Sequence, residues 1–237
     1  MAEVILELKA VSKKYHQKYV LKDISFTMHQ HEKIGLIGAN GSGKTTLSEI
    51  IAGVRKASSG EIVYHQQLTI GIQFQNSQYP PGLTPADMIK YYCDTFKLNL
   101  TASEIKELLK TYQLTAVMKK SIAKLSGGQQ QRLNILLSVI HQPQLVILDE
   151  VSTGLDIAVK EVIFQFLEQN IITNQRAMVL VSHNMEEIER FCDRIIYLAA
   201  GEIKADLPVA KVVEQYGSVF NYTKEMFELE QNKDSLN

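Results

Sequence analysis

The sequence predicts an α/β fold built on a mostly parallel sheet, and two observations carry that reading. Three short, continuous apolar runs, at residues 34–37, 145–148 and 177–181, have the length and composition of strands buried on both faces. Helix-period segments alternate with them, and such alternation implies crossover connections with helices covering both faces of the sheet. The 237 residues suffice for one such domain with a sizeable core, or for a core plus a small inserted subdomain.

Along the chain, residues 4–11 alternate as a strand. A second strand at 20–28 has Leu21, Ile24, Phe26 and Met28 as its apolar members. The run at 34–37 ends in glycines, so it leaves the sheet into a tight loop, and 46–52 reads as a helix. Ser58, Ser59 and Gly60 read as a turn, with strands at 61–65 and 68–74. The composition changes at Asn76. Tyr79, Pro80, Pro81 and Gly82 break the pattern, and Ile89, Tyr92, Cys93 and Phe96 then share one helix face at i, i+3, i+4, i+7. Thr101 and Glu104 have the spacing of a capping box and start a second helix. Residues 76–140 therefore read as a mostly helical insertion.

The core resumes at 145–148. Helices at 157–168 and 184–191 flank the strand at 177–181, and 194–198 with 202–204 flank Ala199, Ala200 and Gly201 as a hairpin. From about Pro208 the chain is polar and reads as helical or irregular. The expected division is one domain of 237 residues: a core at 1–75 and 141–206, a helical subdomain at 76–140, and a C-terminal tail at 207–237.

Composition narrows the function classes. Hydrophobic residues at 45% and charged residues at 22% exclude wholesale disorder. A net charge of −1 argues against nucleic acid as the main partner. Cys93 and Cys192 lie far apart, which excludes a disulfide framework or a Cys-rich zinc site and fits a reducing cytosol. No stretch approaches the roughly 18 apolar residues of a membrane span, and the start of the chain lacks a signal-peptide layout. The chain is expected to be soluble and to serve a membrane only through a partner.

Three stretches carry chemistry. Gly38, Ala39, Asn40, Gly41, Ser42, Gly43, Lys44 and Thr45 match the phosphate-loop pattern GxxxxGK[ST], after an apolar strand and before a helix. The glycines let backbone N–H groups curl around phosphates, and the helix N-terminus adds its positive end. Lys44 reaches the β- and γ-phosphates, and the Thr45 hydroxyl can bind Mg²⁺. An accidental glycine-rich loop is the bland alternative, set aside by the strand before and the helix after. Asp149 and Glu150 end a buried strand, where Asp149 suits Mg²⁺ and Glu150 can polarise an attacking water. Alone, they read more readily as a solvated pair; the phosphate loop upstream reverses that. Leu125, Ser126, Gly127, Gly128 and Gln129 open another helix and form a second anion-binding geometry, which alone reads as an ordinary capped start.

In this order, the stretches 38–45, 125–129 and 145–150 resemble the ATP-binding subunit of an ABC transporter, and the LSGGQ stretch at 125–129 is highly specific beside such a loop. The resemblance covers about residues 3–206. It implies a P-loop NTPase core with a mostly parallel sheet, an N-terminal antiparallel β subdomain and an inserted α-helical subdomain. It implies ATP and Mg²⁺ as cofactors, with Thr46 joining Thr45 at the phosphates. Tyr15 would stack on adenine rather than stand as a surface aromatic. Gln75 would contact Mg²⁺ and the attacking water rather than end a strand as a plain amide. His183 would contact the γ-phosphate rather than merely face solvent, and Asp156, in a D-loop at 152–156, would couple two sites.

Glu150, His183 and Gln75 form the implied catalytic set, and Thr45, Gln75 and Asp149 the metal set. Ser126, Gly127, Gly128 and Gln129 would face ATP held by a second ATPase subunit, identical or paralogous. The implied partner is an integral membrane transporter subunit whose short coupling helix enters near 76–88, which would place the chain at the inner face of the cell membrane. Residues 75–98 look more like drug, antibiotic or peptide exporters than importers. Val151 departs from the proline common after the glutamate; it restores an N–H and loosens φ, while both carboxylates remain. Three other readings stay open: an importer ATPase, a soluble ABC ATPase such as an iron–sulfur assembly accessory, and a non-hydrolysing nucleotide sensor.

Overall fold

The computed structural model describes residues 3–65, 67–74, 77–155 and 157–234. In chain order the strands are β1 (Val4–Tyr15), β2 (Lys18–His29), β3 (Lys33–Ile37), β4 (Ser59–Tyr64), β5 (Ile70–Gln73), β6 (Leu145–Asp149), β7 (Ala177–Val181), β8 (Arg194–Ala199) and β9 (Glu202–Pro208). The helices are α1 (Lys44–Ile51), α2 (Pro85–Phe96), α3 (Ala102–Thr111), α4 (Gly127–Val139), α5 (Ile157–Leu167), α6 (Met185–Phe191), α7 (Val209–Tyr216) and α8 (Val219–Asp234). The chain divides into two compact units, residues 1–68 with 177–237, and residues 69–176.

In the first unit, β1 pairs antiparallel with β2 on one side and β4 on the other. A second sheet places β3 between β7 and β8, parallel to both, and closes with the antiparallel β8–β9 hairpin. Ile34, Leu36 and Ile37 are buried, as are all five residues of β7, so the continuous apolar runs are indeed doubly covered strands. Both N-terminal strands run longer than their apolar members suggest, because antiparallel pairing holds the polar ends. The turn expected at Ser59 and Gly60 is instead the start of β4. A Cβ on Gly60 would lie 2.3 Å from Ala10 O, so glycine there permits close strand approach rather than a reversal.

The polar end of the chain folds as α7 and α8. Val209, Val212, Val219 and Tyr222 are buried, and i, i+3 pairs are enough to seat each helix.

In the second unit, β5 and β6 are parallel, and α4 lies against β5 so closely that a Cβ on Gly71 would meet Ser138 O at 1.8 Å. Compactness divides the chain at 68 and 176, whereas the motifs suggested 75 and 140, because the β5–β6 pair and α5 belong with helices α2 to α4. The helix starts are specified locally. Thr84, Thr101 and Ser126 each close a capping box, with Asp87, Glu104 and Gln129. The α2 stripe runs outward along its length: Ile89 is buried, Tyr92 and Cys93 are half-buried, and Phe96 is exposed.

Candidate functional site

In the first unit, buried β3 ends at Ile37 and the chain turns through residues 38–43 into α1. Two glycines make that turn possible. A Cβ on Gly38 (φ 145°) would lie 2.0 Å from Leu198 O, and one on Gly43 (φ 107°) would lie 2.7 Å from Val20 O. Ser42 N donates to Ala39 O at 3.2 Å, which closes the loop on itself. Lys44 is buried, and its Nζ donates to Gly38 O at 2.8 Å and Ala39 O at 2.9 Å. The ammonium is thus held inside the loop by neutral carbonyls, which an anion can replace at a gain. Ser42 Oγ is buried with no hydrogen-bond partner among the described residues, an orphaned donor inside the cradle. Both features fit phosphate. Asn40, Gly41 and Thr45 are exposed, and Thr46 is half-buried on α1.

Tyr15 ends β1 and is 38% exposed, enough for its ring to accept a stacked partner. Lys13 Nζ and Arg55 Cζ lie 5.3 and 5.5 Å from the ring centroid. Glu49 holds Arg55 there, and that hydrogen bond raises the guanidinium pKa.

His183 is exposed, two residues beyond the end of β7. Its loop is fixed by residues that the motif reading missed. Asn184 N donates to Ser182 Oγ at 2.9 Å, and Asn184 Nδ2 donates to Glu187 Oε1 at 3.2 Å. Asn184 also caps α6, accepting from Glu186 N at 3.1 Å. The signal available in sequence was Glu187 three residues after a capping Asn. A cavity of about 270 Å³ beside Gly38 and His183 is walled by Met185 and by Phe220, Lys224 and Phe227 of α8.

In the second unit, Asp149 ends β6 and is 2% exposed. Glu150 follows at φ 53°, half-buried, in the left-handed region. Val151 behind it is fully buried, so the residue in place of proline serves as a core anchor. Thr153 N donates to Glu150 O at 3.5 Å and Leu155 N to Ser152 O at 3.3 Å, a turn that continues to the edge of the described residues.

Ser126 is the N-cap of α4. Its Oγ accepts from Gln129 N at 3.3 Å, while Gln129 Oε1 accepts from Ser126 N at 3.1 Å. The Ser126 hydroxyl proton stays available for an outside acceptor, and Ser126 and Gly127 are exposed. Gly128 is buried because a Cβ there would press on Val159 Cγ1 at 2.7 Å. Gln75 and Asp156 lie outside the described residues, so their expected roles gain no geometry here.

A cavity of about 130 Å³ opens between β5, α2 and α4, lined by Phe74, Tyr79, Tyr92, Phe96, Asn134 and His141. Of the expected groove residues 76–88, Ser77 and Tyr79 reach it; the other walls come from β5, α2 and α4. Phe96 stacks on His141 at 4.1 Å, and burial pushes the Tyr79 phenol up to about 12. Among the described residues no helix is long and apolar enough to cross a membrane.

Comparison with known proteins points one way. A family model described as ABC transporter matches residues 21–153. The Nod factor export ATP-binding protein I of Rhizobium johnstonii is 34% identical over 230 residues, spanning 92% of this chain and 74% of its own length. The nickel import system ATP-binding protein NikE of Staphylococcus aureus is 31% identical over 231 residues, spanning 94% of this chain and 97% of its own. Among solved structures, a dimeric post-hydrolysis state of the ATP-binding cassette MJ0796 bound to ADP and Pi matches with a TM-score of 0.77 at 27% identity, covering 86% of this chain and 98% of that one.

Proposed function

Because the chain belongs to the ABC transporter family, as an ATP-binding subunit, we propose that it binds and hydrolyses ATP with Mg²⁺ and drives a membrane transporter by pairing with a second ATPase subunit. The observation that carries this is the loop at 38–45. It is a cradle that side chains would fill, with a lysine ammonium resting on its carbonyls and a buried serine hydroxyl left unpaired.

In this reading Lys44 exchanges the carbonyls of Gly38 and Ala39 for phosphate oxygens. Tyr15 stacks on the adenine. Of the hard oxygen donors that Mg²⁺ takes, Thr45 offers a hydroxyl and Asp149 a carboxylate. The metal, when bound, withdraws charge from the phosphate oxygens. Glu150 aligns and polarises the attacking water, with Gln75 assisting, and His183 donates to the γ-phosphate. The chemistry is positioning and charge stabilisation.

The start of α4 supports the pairing. Its hydroxyl proton and the N–H groups of the helix start form an anion site to which this chain's own motifs assign no second ligand, and a second copy's nucleotide supplies one. ATP then favours the closed pair, and hydrolysis removes that preference. Asp156 couples the two sites. The aromatic groove between α2 and α4 suits a short helix of a membrane subunit, which would bring this chain to the inner face of a membrane. Relatives named for export and for import are both matched, at 34% and 31% identity, so the reading as an exporter rests on residues 75–98.

Phosphate release tests the core of the proposal. Glu150→Gln should keep ATP affinity within a few-fold and reduce turnover by about a hundredfold or more. Unchanged steady-state hydrolysis in that variant would overturn the assignment. Co-purification of the ATP-locked variant from its native cell tests the rest: a membrane protein with several spans is the expected partner, and soluble partners alone would favour the soluble-ATPase reading. Transport into or out of vesicles carrying that pair then fixes direction.

A further inference from the structure

A second cavity in the 69–176 unit, of about 360 Å³, lies between α3 and the C-terminal half of α4, and none of the motif residues lines it. That volume falls within the range of sites that hold small organic molecules. Leu108 of α3 and Leu136 and Val139 of α4 give it apolar walls. Tyr112 and Arg176 give it a polar end.

Both polar residues are unusual. Tyr112 is fully buried and stacks on Phe166 at 4.8 Å, yet its hydroxyl has no hydrogen-bond partner among the described residues. Nη1 of Arg176 is buried and also without a partner among the described residues. Burial pulls the Arg176 pKa down, with the Tyr112 phenol acting the other way. The acidic residues that line the cavity are engaged elsewhere. Glu104 accepts from Thr101 N and Thr101 Oγ1, both at 2.7 Å, and Glu107 lies 3.8 Å from Lys110.

Buried donors without acceptors are costly, and Arg176, half-buried as a residue, carries one on a charged group. Two such donors beside the apolar wall of a cavity of mixed lining call for one anionic head. The planar fork of arginine matches a carboxylate. The exposed Glu107 disfavours a ligand with a second negative charge.

We propose that this cavity binds a small amphiphilic monocarboxylate, its carboxylate on Arg176 and Tyr112 and its hydrocarbon body against Leu108, Leu136 and Val139. The proposal is independent of the nucleotide chemistry.

The test is calorimetric titration of the full-length chain with octanoate, and with 1-octanol as the neutral probe. Octanoate should bind saturably with one site, and octanol at least about tenfold more weakly. Arg176→Gln should weaken octanoate about tenfold or more, and Tyr112→Phe about two- to five-fold. His141 provides a reporter within the same unit. Burial is the first cause of its lowered pKa, and the Arg176 charge also lowers it, so bound octanoate should move the His141 proton-resonance midpoint upward. Should Arg176→Gln melt early, Leu108→Trp fills the cavity from its apolar side and must abolish binding. Absence of saturable octanoate binding to the wild-type chain, equal binding of octanol, or binding indifferent to Arg176→Gln or to Leu108→Trp would each overturn the proposal.

Discussion

Ser182 Oγ donates a 2.8 Å hydrogen bond to Glu187 Oε2, and both residues are buried on either side of the exposed His183. The bond ties the end of β7 to the first turn of α6. A histidine that must meet a phosphate needs a fixed backbone, and this buried carboxylate fixes it. Glu187→Ala should cost about 1.5–3 kcal/mol in urea unfolding, since a charged hydrogen-bond acceptor is removed from a buried network. It should also lower ATP turnover, with Glu187→Gln recovering part of both. Wild-type stability in the alanine variant would show that the clamp is unimportant.

The phosphate loop separates glycines by what surrounds them. Gly38→Ala forces a Cβ to 2.0 Å from Leu198 O, whereas a Cβ on Gly41 meets nothing within 4 Å. Both have positive φ, so the alanine at 41 still carries strain of about 1–2 kcal/mol. Gly38→Ala should therefore abolish nucleotide binding or folding, while Gly41→Ala binds detectably in a fluorescent-nucleotide titration. Equal losses at the two positions would contradict the steric reading.

Ser126 can be tested as a cap and as a phosphate donor separately. Ser126→Ala removes the cap and should cost about 1 kcal/mol. Ser126→Asp keeps a capping oxygen and adds a favourable charge at a helix N-terminus, so stability should hold. That same charge should repel a nucleotide presented by a second copy and prevent ATP-dependent dimerisation in size-exclusion chromatography. Dimerisation of the aspartate variant at wild-type ATP concentrations would remove α4 from the interface.

His141 makes stability depend on pH. Its folded pKa lies below the ordinary 6.5, chiefly through burial, with the hydrogen bond to Ile70 O opposing. The unfolded chain therefore takes up the proton first. The contribution is fully present above about pH 6.5 and declines as pH falls through and below that value toward the folded midpoint. Urea midpoints should fall between about pH 7.5 and pH 5.5, and His141→Gln should flatten that slope.

The parts of this molecule that announce themselves in sequence are those with local causes. The strand at 34–37 is legible because every residue of it must be apolar or small, and the phosphate loop because its backbone admits only glycine at 38 and 43. The capping box at Thr101 is legible from spacing; the one at Thr84 has the same spacing, with Pro85 at the first helical position, but lies beneath the proline-rich break. What stayed hidden depends on distant partners. Gly60 looked like a turn because nothing near it in sequence shows Ala10 passing alongside. The shared face of α2 is legible, but its burial is not, because periodicity gives a direction and not how far cover extends along it. Glu187 is a buried carboxylate, and the exposed prior for that residue type conceals it.

The position of β3 between β7 and β8 has a consequence for synthesis. The three-stranded sheet of β1, β2 and β4 can close once residue 64 has left the ribosome. The strand made just before β4 finds neither neighbour until roughly 140 residues later. At ~5–20 residues per second, Ile34, Leu36 and Ile37 face the cytosol or a chaperone for on the order of ten seconds. A nascent chain stalled before residue 177 is thus a half-built molecule with an apolar strand unpaired, and aggregation or proteolysis during translation should concentrate there.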